Sequence, residues 1–543
     1  MTTTAPTETA TEPRNSWVPM IGLFLAQILM SYNVSALPVS LGSMVADFGV
    51  PPTDVSTAIV MYGLVVAALV MVGAKIGQRV GWVLMFRIVV ALFAGSAVLM
   101  ILAPSVGYVI LAQGVAGASA AIIVPALVAL IAENYRGRQQ AVAIGSLGSA
   151  RALAGVTAFL LGGTLATFVG WRPVFVVVLV LAVVVFLLSF RLRSDPGNSA
   201  IKIDVVAAIL IGAGIVALTL GVNNLNNWGL LLAERGAPFD ILGLSPAPVL
   251  ILIGLVLVQA FFLWTRRRTK AGRVPLVSLS VFGSSRERAA VYAMFVVVAL
   301  EAALNFTVPL YIQIVQGRTP FDTSLAMLPF NLTVFVTAML VVRVYRRFSP
   351  RTIGMFSFGL TTIALVWLAI VVTNNWETLP TILGLFVFGV GQGALVTLVF
   401  NVLVTASPKE LAGDVGSVRG TTQNLASAVG TAVAGALLVG ILSVNVSGAL
   451  ANNVTLPPEL VSQVDLDNTN FISNERLKEV LEGTDATPEE VDAAVALNEN
   501  ARLSSLKLGL LILAGISAIA ILPASRLPRF RPQELSPSDA GGN

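Results

Sequence analysis

Two charged side chains stand inside long apolar stretches, where ionised groups could do chemistry. Arg151 lies between Ala150 and Ala152, and Glu301 lies in the apolar stretch 298–304. A charge at the centre of a bilayer costs at least about 2.5–3.5 kcal/mol, so each side chain needs a partner, a cavity or a charged ligand. A carboxyl group in a low-dielectric site can carry a proton near neutral pH. We therefore predict Glu301 as a proton-coupling site and Arg151 as a substrate or ion-pair residue. A purely structural Arg151–Glu301 pair is the alternative, and the two interpretations are compatible.

Most other chemistry is excluded by composition. The sequence has no cysteine and no histidine, which excludes disulfides, thiolate nucleophiles, Ser-His triads, haem ligation and the usual zinc sites. A glycine-rich phosphate-binding loop is also missing, so we expect no direct use of ATP. The net charge of +5 comes from bases in short loops between apolar stretches, a pattern typical of membrane orientation rather than nucleic-acid binding. We predict no enzymatic activity, no cofactor and no metal.

Uncharged polar side chains inside the apolar stretches could supply the few oriented contacts of a mostly apolar pocket. Each of them is equally well explained as a hydrogen bond between helices. The cavity-lining candidates are Gln27, Tyr32, Asn33, Tyr62, Gln113, Asn305, Asn331, Gln392 and Asn401.

The elements that must position these residues are membrane-spanning helices. Apolar residues make up 56% of the 543 residues and charged residues 11%, against about 25% charged in soluble domains. Apolar stretches of about 20 residues recur from Trp17 to Leu522, and none alternates in polarity as a barrel strand would. We predict an all-α polytopic membrane protein with fourteen spans, near 17–39, 56–77, 83–103, 107–131, 140–165, 171–190, 204–222, 246–264, 288–315, 323–343, 352–373, 378–405, 420–444 and 504–525.

The sequence repeats itself in two halves. One set of residues recurs with nearly the same spacing: Gly114, Pro125 and Gly137 against Gly389, Phe400 and Gly413. The loop 78–82 likewise has a counterpart at 346–350, and we predict a cytoplasmic gate loop formed by Gln78, Arg79, Arg346 and Arg347. Two six-span halves with a site at their interface are a common architecture of secondary transporters.

The predicted organisation follows from the spans and from the loops between them. It comprises a disordered cytoplasmic N-terminus (1–16), an N-terminal six-span half (17–190), a cytoplasmic linker (191–203), two inserted spans with an outside loop (204–264), a second cytoplasmic linker (265–287), a C-terminal six-span half (288–525) and a cytoplasmic tail (526–543). Most of the 33 Lys and Arg residues fall in the tails and loops of one side. The positive-inside rule therefore places both termini in the cytoplasm.

The C-terminal half contains an acidic outside loop, 445–503. The motif Thr487-Pro488-Glu489-Glu490 predicts the start of a short helix, and a second helix is predicted over 474–482, ended by Gly483. This loop is either a cap over the outer mouth or a solvated excursion.

Several short motifs resemble those of the major facilitator superfamily, specifically its fourteen-span drug:proton antiporter branch (EmrB/QacA type). They are Ala36-Leu37-Pro38, Gln113-Gly114, Gly162-Gly163, Gly170-Trp171-Arg172 and Pro309-Leu310-Tyr311-Ile312-Gln313. The resemblance implies a major facilitator fold with two inserted transmembrane helices and an efflux function. It is weaker at positions where the branch carries coupling residues, which are here Leu29, Gln78, Ile110, Ala158-Phe159 and Gln423. Arg419 lies one helical turn before Gln423.

Small residues four apart, Ala150, Ala154, Ala158 and Gly162, predict a stripe in span 5 on which another helix packs closely. Phe159 stands where the resemblance implies a kink-forming proline, so we expect a straighter span 5.

The favoured function is a secondary active transporter of the cell (cytoplasmic) membrane that exports hydrophobic or amphiphilic small molecules, such as drugs, lipids or metabolites, by proton antiport. Its predicted partners are the lipid bilayer, a small hydrophobic substrate and protons, and the predicted state is a monomer without nucleic acid. Three alternatives stay open because the usual coupling residues are missing. They are a proton-independent facilitator, an anionic-substrate exchanger that uses Arg151, and a non-transporting membrane partner protein.

Overall fold

The computed structural model describes residues 16–50, 52–135, 137–192, 196–233, 236–240, 242–279, 285–344, 347–376, 378–405, 412–452, 478–479 and 487–529. Within these ranges the chain forms fourteen long helices: α1 (Val18–Phe48), α2 (Pro52–Val80), α3 (Trp82–Ile101), α4 (Val106–Asn134), α5 (Gly137–Thr157, continued by a π turn at Ala158–Gly162 and by Gly163–Phe168), α6 (Arg172–Leu188), α7 (Val205–Asn223), α8 (Pro246–Lys270), α9 (Ser285–Leu310, continued by a π turn at Tyr311–Val315), α10 (Pro320–Val344), α11 (Pro350–Val371), α12 (Leu379–Thr405), α13 (Ala412–Asn452) and α14 (Pro488–Ala524).

These helices confirm the predicted all-α membrane fold. In the described ranges, thirteen helices are long and apolar enough to cross a membrane, and α13 is the fourteenth long helix. Local chemistry fixes several helix ends: the Asp204 carboxylate caps α7 by accepting from the Ala207 N–H, and Ser245 and Ser349 cap α8 and α11 just before a proline. At the end of α1, Gly49 takes the left-handed conformation, with φ of 64°.

Several helices extend beyond their predicted bounds, and two of them, α13 and α14, enter the segment predicted as the acidic outside loop. The helix α13 begins at Ala412, before the predicted 420, and runs to Asn452, into the segment assigned to the acidic outside loop. At the other end of that loop, a helix begins at Pro488 as its capping motif predicts. It is not a separate short helix, because it continues without a break into the last span as α14. Only residues 478–479 of the helix predicted over 474–482 belong to the described residues.

The helices associate as two groups, α1–α6 and α9–α14. The groups meet along seams where α2 and α4 pack on α13 and where α5 packs on α10. The pair α7 and α8 lies outside both groups, and α7 packs on α2 and α13. Close approach within this pair depends on glycine: a Cβ on Gly254 would lie 2.6 Å from Leu218 and 2.8 Å from the Gly214 carbonyl.

The small residues of α5 serve two neighbours. Ala150, Ala154 and Ala158 are fully buried, and α5 packs on α1. On a different face, a Cβ on Gly163 would lie 1.9 Å from the Ser324 hydroxyl of α10. The replacement of proline by Phe159 does not leave a regular helix, because Phe159 lies within the π turn at Ala158–Gly162. Span 5 is therefore irregular at this position even without a proline, and its straightness stays a prediction.

Candidate functional site

A cavity of about 140 Å³ lies between the two groups of helices. Its wall comes from α1, α2, α4 and α5 on one side and from α9, α10, α12 and α13 on the other. Large apolar side chains such as Met30, Phe159, Phe306 and Phe330 form much of this wall. Pockets for drug-sized ligands measure about 300–1,000 Å³, so such a ligand fits only after the two groups move apart.

Arg151 and Glu301 meet across this cavity. The Arg151 Nη2 of α5 donates to the Glu301 Oε2 of α9 over 2.9 Å, and both residues line the cavity. The side chains are 22% and 16% exposed, so the pair is partly solvated by the cavity and faces neither lipid nor a dry core. The ion pair anticipated from the sequence therefore exists, and it joins the two groups of helices in the middle of the bundle.

A third charged side chain, Arg419 of α13, lines the same cavity and is only 8% exposed. It lies near enough to Arg151 for the two positive charges to interact. The charged residues in the described wall are thus two arginines and one glutamate, a formal charge of +1. Arg419 stands one helical turn before Gln423 but was not among the predicted site residues, because the predicted span began one residue later, at 420.

Four of the predicted polar candidates lie in the cavity wall: Gln27, Tyr62, Asn305 and Asn331. Gln27 donates to the Ser31 hydroxyl over 2.9 Å, and Asn331 donates to the Met327 carbonyl over 3.0 Å. The Oδ1 atom of Asn305 is buried without a hydrogen-bond donor among the described residues.

The other five candidates lie outside this wall. Asn33 and Gln113 bond to each other between α1 and α4, over 2.8 Å. Tyr32 is buried near Gly162 of α5. The remaining two, Gln392 and Asn401, both lie on α12, and the side chain of Gln392 is fully buried.

The two groups of helices are also joined at the end of the bundle that carries the α2–α3 connection, called here the α2–α3 end. The Lys75 Nζ of α2 lies 3.0 Å from the Asp414 Oδ1 of α13, and both side chains are 8% exposed. The second carboxylate oxygen of Asp414 accepts from the Ser278 N–H over 2.9 Å. This pair was not predicted, because Lys75 stands near a helix end where a lysine can reach headgroup water.

The predicted gate loop lies beside this pair. Gln78 accepts a hydrogen bond from Lys75 over 3.4 Å, and Arg79 is exposed. Arg347 is exposed as well, and Arg346 lies outside the described residues. At the opposite end, which carries the α1–α2 connection and is called the α1–α2 end, Gln313 of α9 bonds to α1 and Thr167 of α5 accepts from the Phe321 N–H.

Comparisons with known proteins agree with this architecture. A family model described as Major Facilitator Superfamily matches residues 23–431. A relative from Streptomyces coelicolor, named "Probable actinorhodin transporter", is 26% identical over 441 residues, which cover 78% of this chain and 73% of the relative. Multidrug resistance protein Stp of Mycobacterium tuberculosis is 24% identical over 462 residues, which cover 84% of this chain and 82% of that protein.

Among solved structures, the chain is similar to the human organic anion transporter MFSD10. The TM-score is 0.55, the identity is 12%, and the match covers 93% of this chain and 98% of that one. A bacterial homolog of the human lysosomal transporter Spinster, in an inward-facing unoccupied conformation, gives a TM-score of 0.56 at 16% identity and covers 95% and 98% of the two chains. At these identities the likeness shows the fold alone.

Proposed function

The chain belongs to the Major Facilitator Superfamily, and we propose that this secondary active transporter exports hydrophobic and amphiphilic small molecules by proton antiport. The observation that carries the proposal is the Arg151–Glu301 ion pair, which bridges the two six-helix halves inside a mostly apolar cavity. The distribution of Lys and Arg supports assigning the α2–α3 end and both termini to the cytoplasm.

The cavity wall supports the substrate class. Aromatic and aliphatic side chains recognise ligands by shape and adaptable packing, with a few polar groups to orient them. Phe306, Phe330 and Met30 supply the apolar surface, and Asn305 and Tyr62 supply polar contacts. The names of the relatives, a multidrug resistance protein and a probable actinorhodin transporter, point to the same kind of cargo.

Proton binding to Glu301 provides the coupling step. A proton from outside binds a carboxylate oxygen of Glu301, which removes its charge and its attraction to Arg151. The mid-bundle link between the halves is then broken, so the halves can rock about the cavity. When the proton leaves toward the cytoplasm, the ion pair forms again.

Antiport requires that proton and substrate oppose each other at the site, because the coupling between two ligands is reciprocal. An ionised Glu301 accepts strong hydrogen bonds from donor groups of a substrate, and protonation weakens them because the carboxyl group loses its charge. Protonation also raises the formal charge of the described cavity wall from +1 to +2, which repels a cationic amphiphile. Substrates with donor groups or a positive charge are therefore displaced by the proton.

The test is transport by the purified protein in liposomes with an imposed pH gradient, using Glu301→Gln. The amide keeps the shape of the protonated acid but cannot release a proton, so uphill transport of a lipophilic dye should be lost. Exchange of labelled for unlabelled dye should continue only at raised dye concentrations, because the neutral side chain binds the dye more weakly. Asp47→Asn is the matched control, because Asp47 pairs with Arg172 over 2.7 Å within one half. Uphill transport that survives Glu301→Gln would remove Glu301 from the coupling mechanism.

A second candidate, exchange of organic anions, is favoured by the two arginines of the cavity. An anion competes with Glu301 for Arg151 and leaves the carboxylate without that partner, so anion binding and protonation assist each other. This coupling has the opposite sign to antiport. Dye affinity that rises on acidification, for a dye whose own charge is constant, supports anion exchange; affinity that falls supports antiport.

A further inference from the structure

The side chain of Gln313 bonds to two backbone groups of α1, the Pro38 carbonyl and the Gly42 N–H. Its Nε2 donates to the Pro38 carbonyl over 3.1 Å, and its Oε1 accepts from the Gly42 N–H over 2.9 Å. In a regular α-helix the N–H of residue 42 pairs with the carbonyl of residue 38. The Gln313 amide of the C-terminal half thus bonds to one donor and one acceptor of the N-terminal half. Gln313 is only 6% exposed.

The segment around Gln313 is fixed to its own half. Gln313 lies in the π turn at Tyr311–Val315, where the Tyr311 hydroxyl donates to the Asn374 Oδ1 over 2.6 Å. Just after the turn, Gln316 donates to the Asn374 carbonyl, also over 2.6 Å. These two anchors hold the turn on the α11–α12 connection, so Gln313 must travel with the C-terminal half when the halves separate.

We propose that Gln313 is a reversible latch that holds the α1–α2 end of the transporter closed by bonding to the backbone of α1. With that end closed, Pro38 and Gly42 are bonded to the amide. With that end open, the same two groups bond to each other as an ordinary helical turn, and water solvates Gln313. Neither state leaves a backbone group of this turn unsatisfied.

A latch of this kind differs from the ionic contacts elsewhere in the bundle. Its strength depends on geometry rather than on charge, so neither salt nor protonation releases it. It therefore leaves the choice of substrate and coupling ion to the cavity, and its existence does not depend on the proposed antiport.

Gly42 makes room for the latch. A Cβ at this position would lie 2.9 Å from the Gln313 Oε1 and 3.3 Å from the Gln313 Cβ. Alanine is the stronger helix former, so Gly42→Ala should preserve α1 while pushing the amide away. The chain thus offers two independent ways to release the latch, by removing the amide or by filling the space it occupies.

The test measures distances between spin labels on introduced cysteines. Only these positions are labelled, because the chain has no native cysteine. Val169→Cys and Leu379→Cys, on exposed residues of the two halves, report on the α1–α2 end. Leu84→Cys and Phe348→Cys, also exposed, report on the α2–α3 end and show that the fold is retained. All variants are measured in the full-length protein in lipid nanodiscs.

We expect Gln313→Ala to raise the ratio of open to closed α1–α2 ends about tenfold, in line with the loss of two neutral hydrogen bonds. Gly42→Ala should give a similar rise. Thr362→Ala, which removes a hydroxyl that donates to the Phe358 carbonyl within α11 of the C-terminal half, should leave the ratio within about twofold of the wild type.

The double variant Gly42→Ala with Gln313→Ala decides whether the two residues act together. If the methyl group acts by displacing the amide, the double variant opens this end no further than Gln313→Ala does. If the rise in the open-to-closed ratio of the double variant instead equals the product of the two single rises, the latch is refuted. Wild-type distances in Gln313→Ala, wild-type distances in Gly42→Ala, or a rise with Thr362→Ala as large as that with Gln313→Ala also refute it.

Discussion

The buried Lys75–Asp414 pair should hold the α2–α3 end closed, and Lys75→Met tests this directly. The substitution removes the ammonium but keeps an unbranched side chain of similar length. The Asp414 carboxylate then stays buried with the Ser278 N–H as its remaining described hydrogen bond. Removing one partner of a buried pair costs about 3–5 kcal/mol.

That cost applies to the closed state alone, because the carboxylate reaches water when this end opens. Taking about 3 kcal/mol, since Asp414 keeps one backbone donor, the ratio of open to closed α2–α3 ends should rise about 100-fold. Neutralising both partners, in Lys75→Met with Asp414→Asn, should recover most of the closure. The Asn side chain still accepts from Ser278, and no unpaired charge remains buried.

Spin labels at Leu84→Cys and Phe348→Cys measure this ratio, and the α1–α2 label pair serves as the control. A closed distance distribution that is unchanged in Lys75→Met would contradict this role of the pair. A double variant that opens this end as far as the single variant does would also contradict it, because the cost would then not come from an uncompensated charge.

Three further outcomes are expected. Arg151→Ala should lower the initial rate of gradient-driven transport at least about tenfold, with partial recovery in Arg151→Lys, and equal rates in both variants would show that positive charge at this position is unimportant. Asn305→Leu should weaken dye binding about tenfold or less, measured by fluorescence titration, because it removes a polar contact but not the apolar wall. Asp204→Ala should lower stability by about 2–4 kcal/mol in thermal unfolding, because Asp204 caps α7, pairs with Arg268 over 3.1 Å and accepts from Trp264; no change in the melting temperature would contradict this.

The fold was largely predictable because the bilayer imposes a single strong requirement, a run of apolar residues long enough to cross it. The same requirement explains why Arg151 and Glu301 could be identified and paired from the sequence. A charge at mid-span has few acceptable surroundings, and the opposite charge in the other half is one of them.

The limits of sequence reasoning have equally specific causes. A polar amide in a helix can face a cavity or a neighbouring helix at similar cost, so Asn33 and Gln113 were not distinguishable from Asn305. Arg419 was not predicted as a site residue because Gly, Ser and Thr dilute the apolar signal at the start of α13, which moved the predicted boundary past it. Gln313 stood inside a recognised motif, but its role depends on a contact with α1 some 270 residues away.

The α7–α8 hairpin gives the two seams of the transporter different surroundings. Where α2 meets α13, α7 packs on both, so sliding of the halves along this seam must drag a protein hairpin with it. Where α5 meets α10, side chains such as Leu161, Leu332 and Val336 are exposed on the bundle surface, which a bilayer would cover with acyl chains. Membrane thickness and viscosity therefore act directly on the α5–α10 seam. At the α2–α13 seam, motion also requires movement of the packed α7–α8 hairpin.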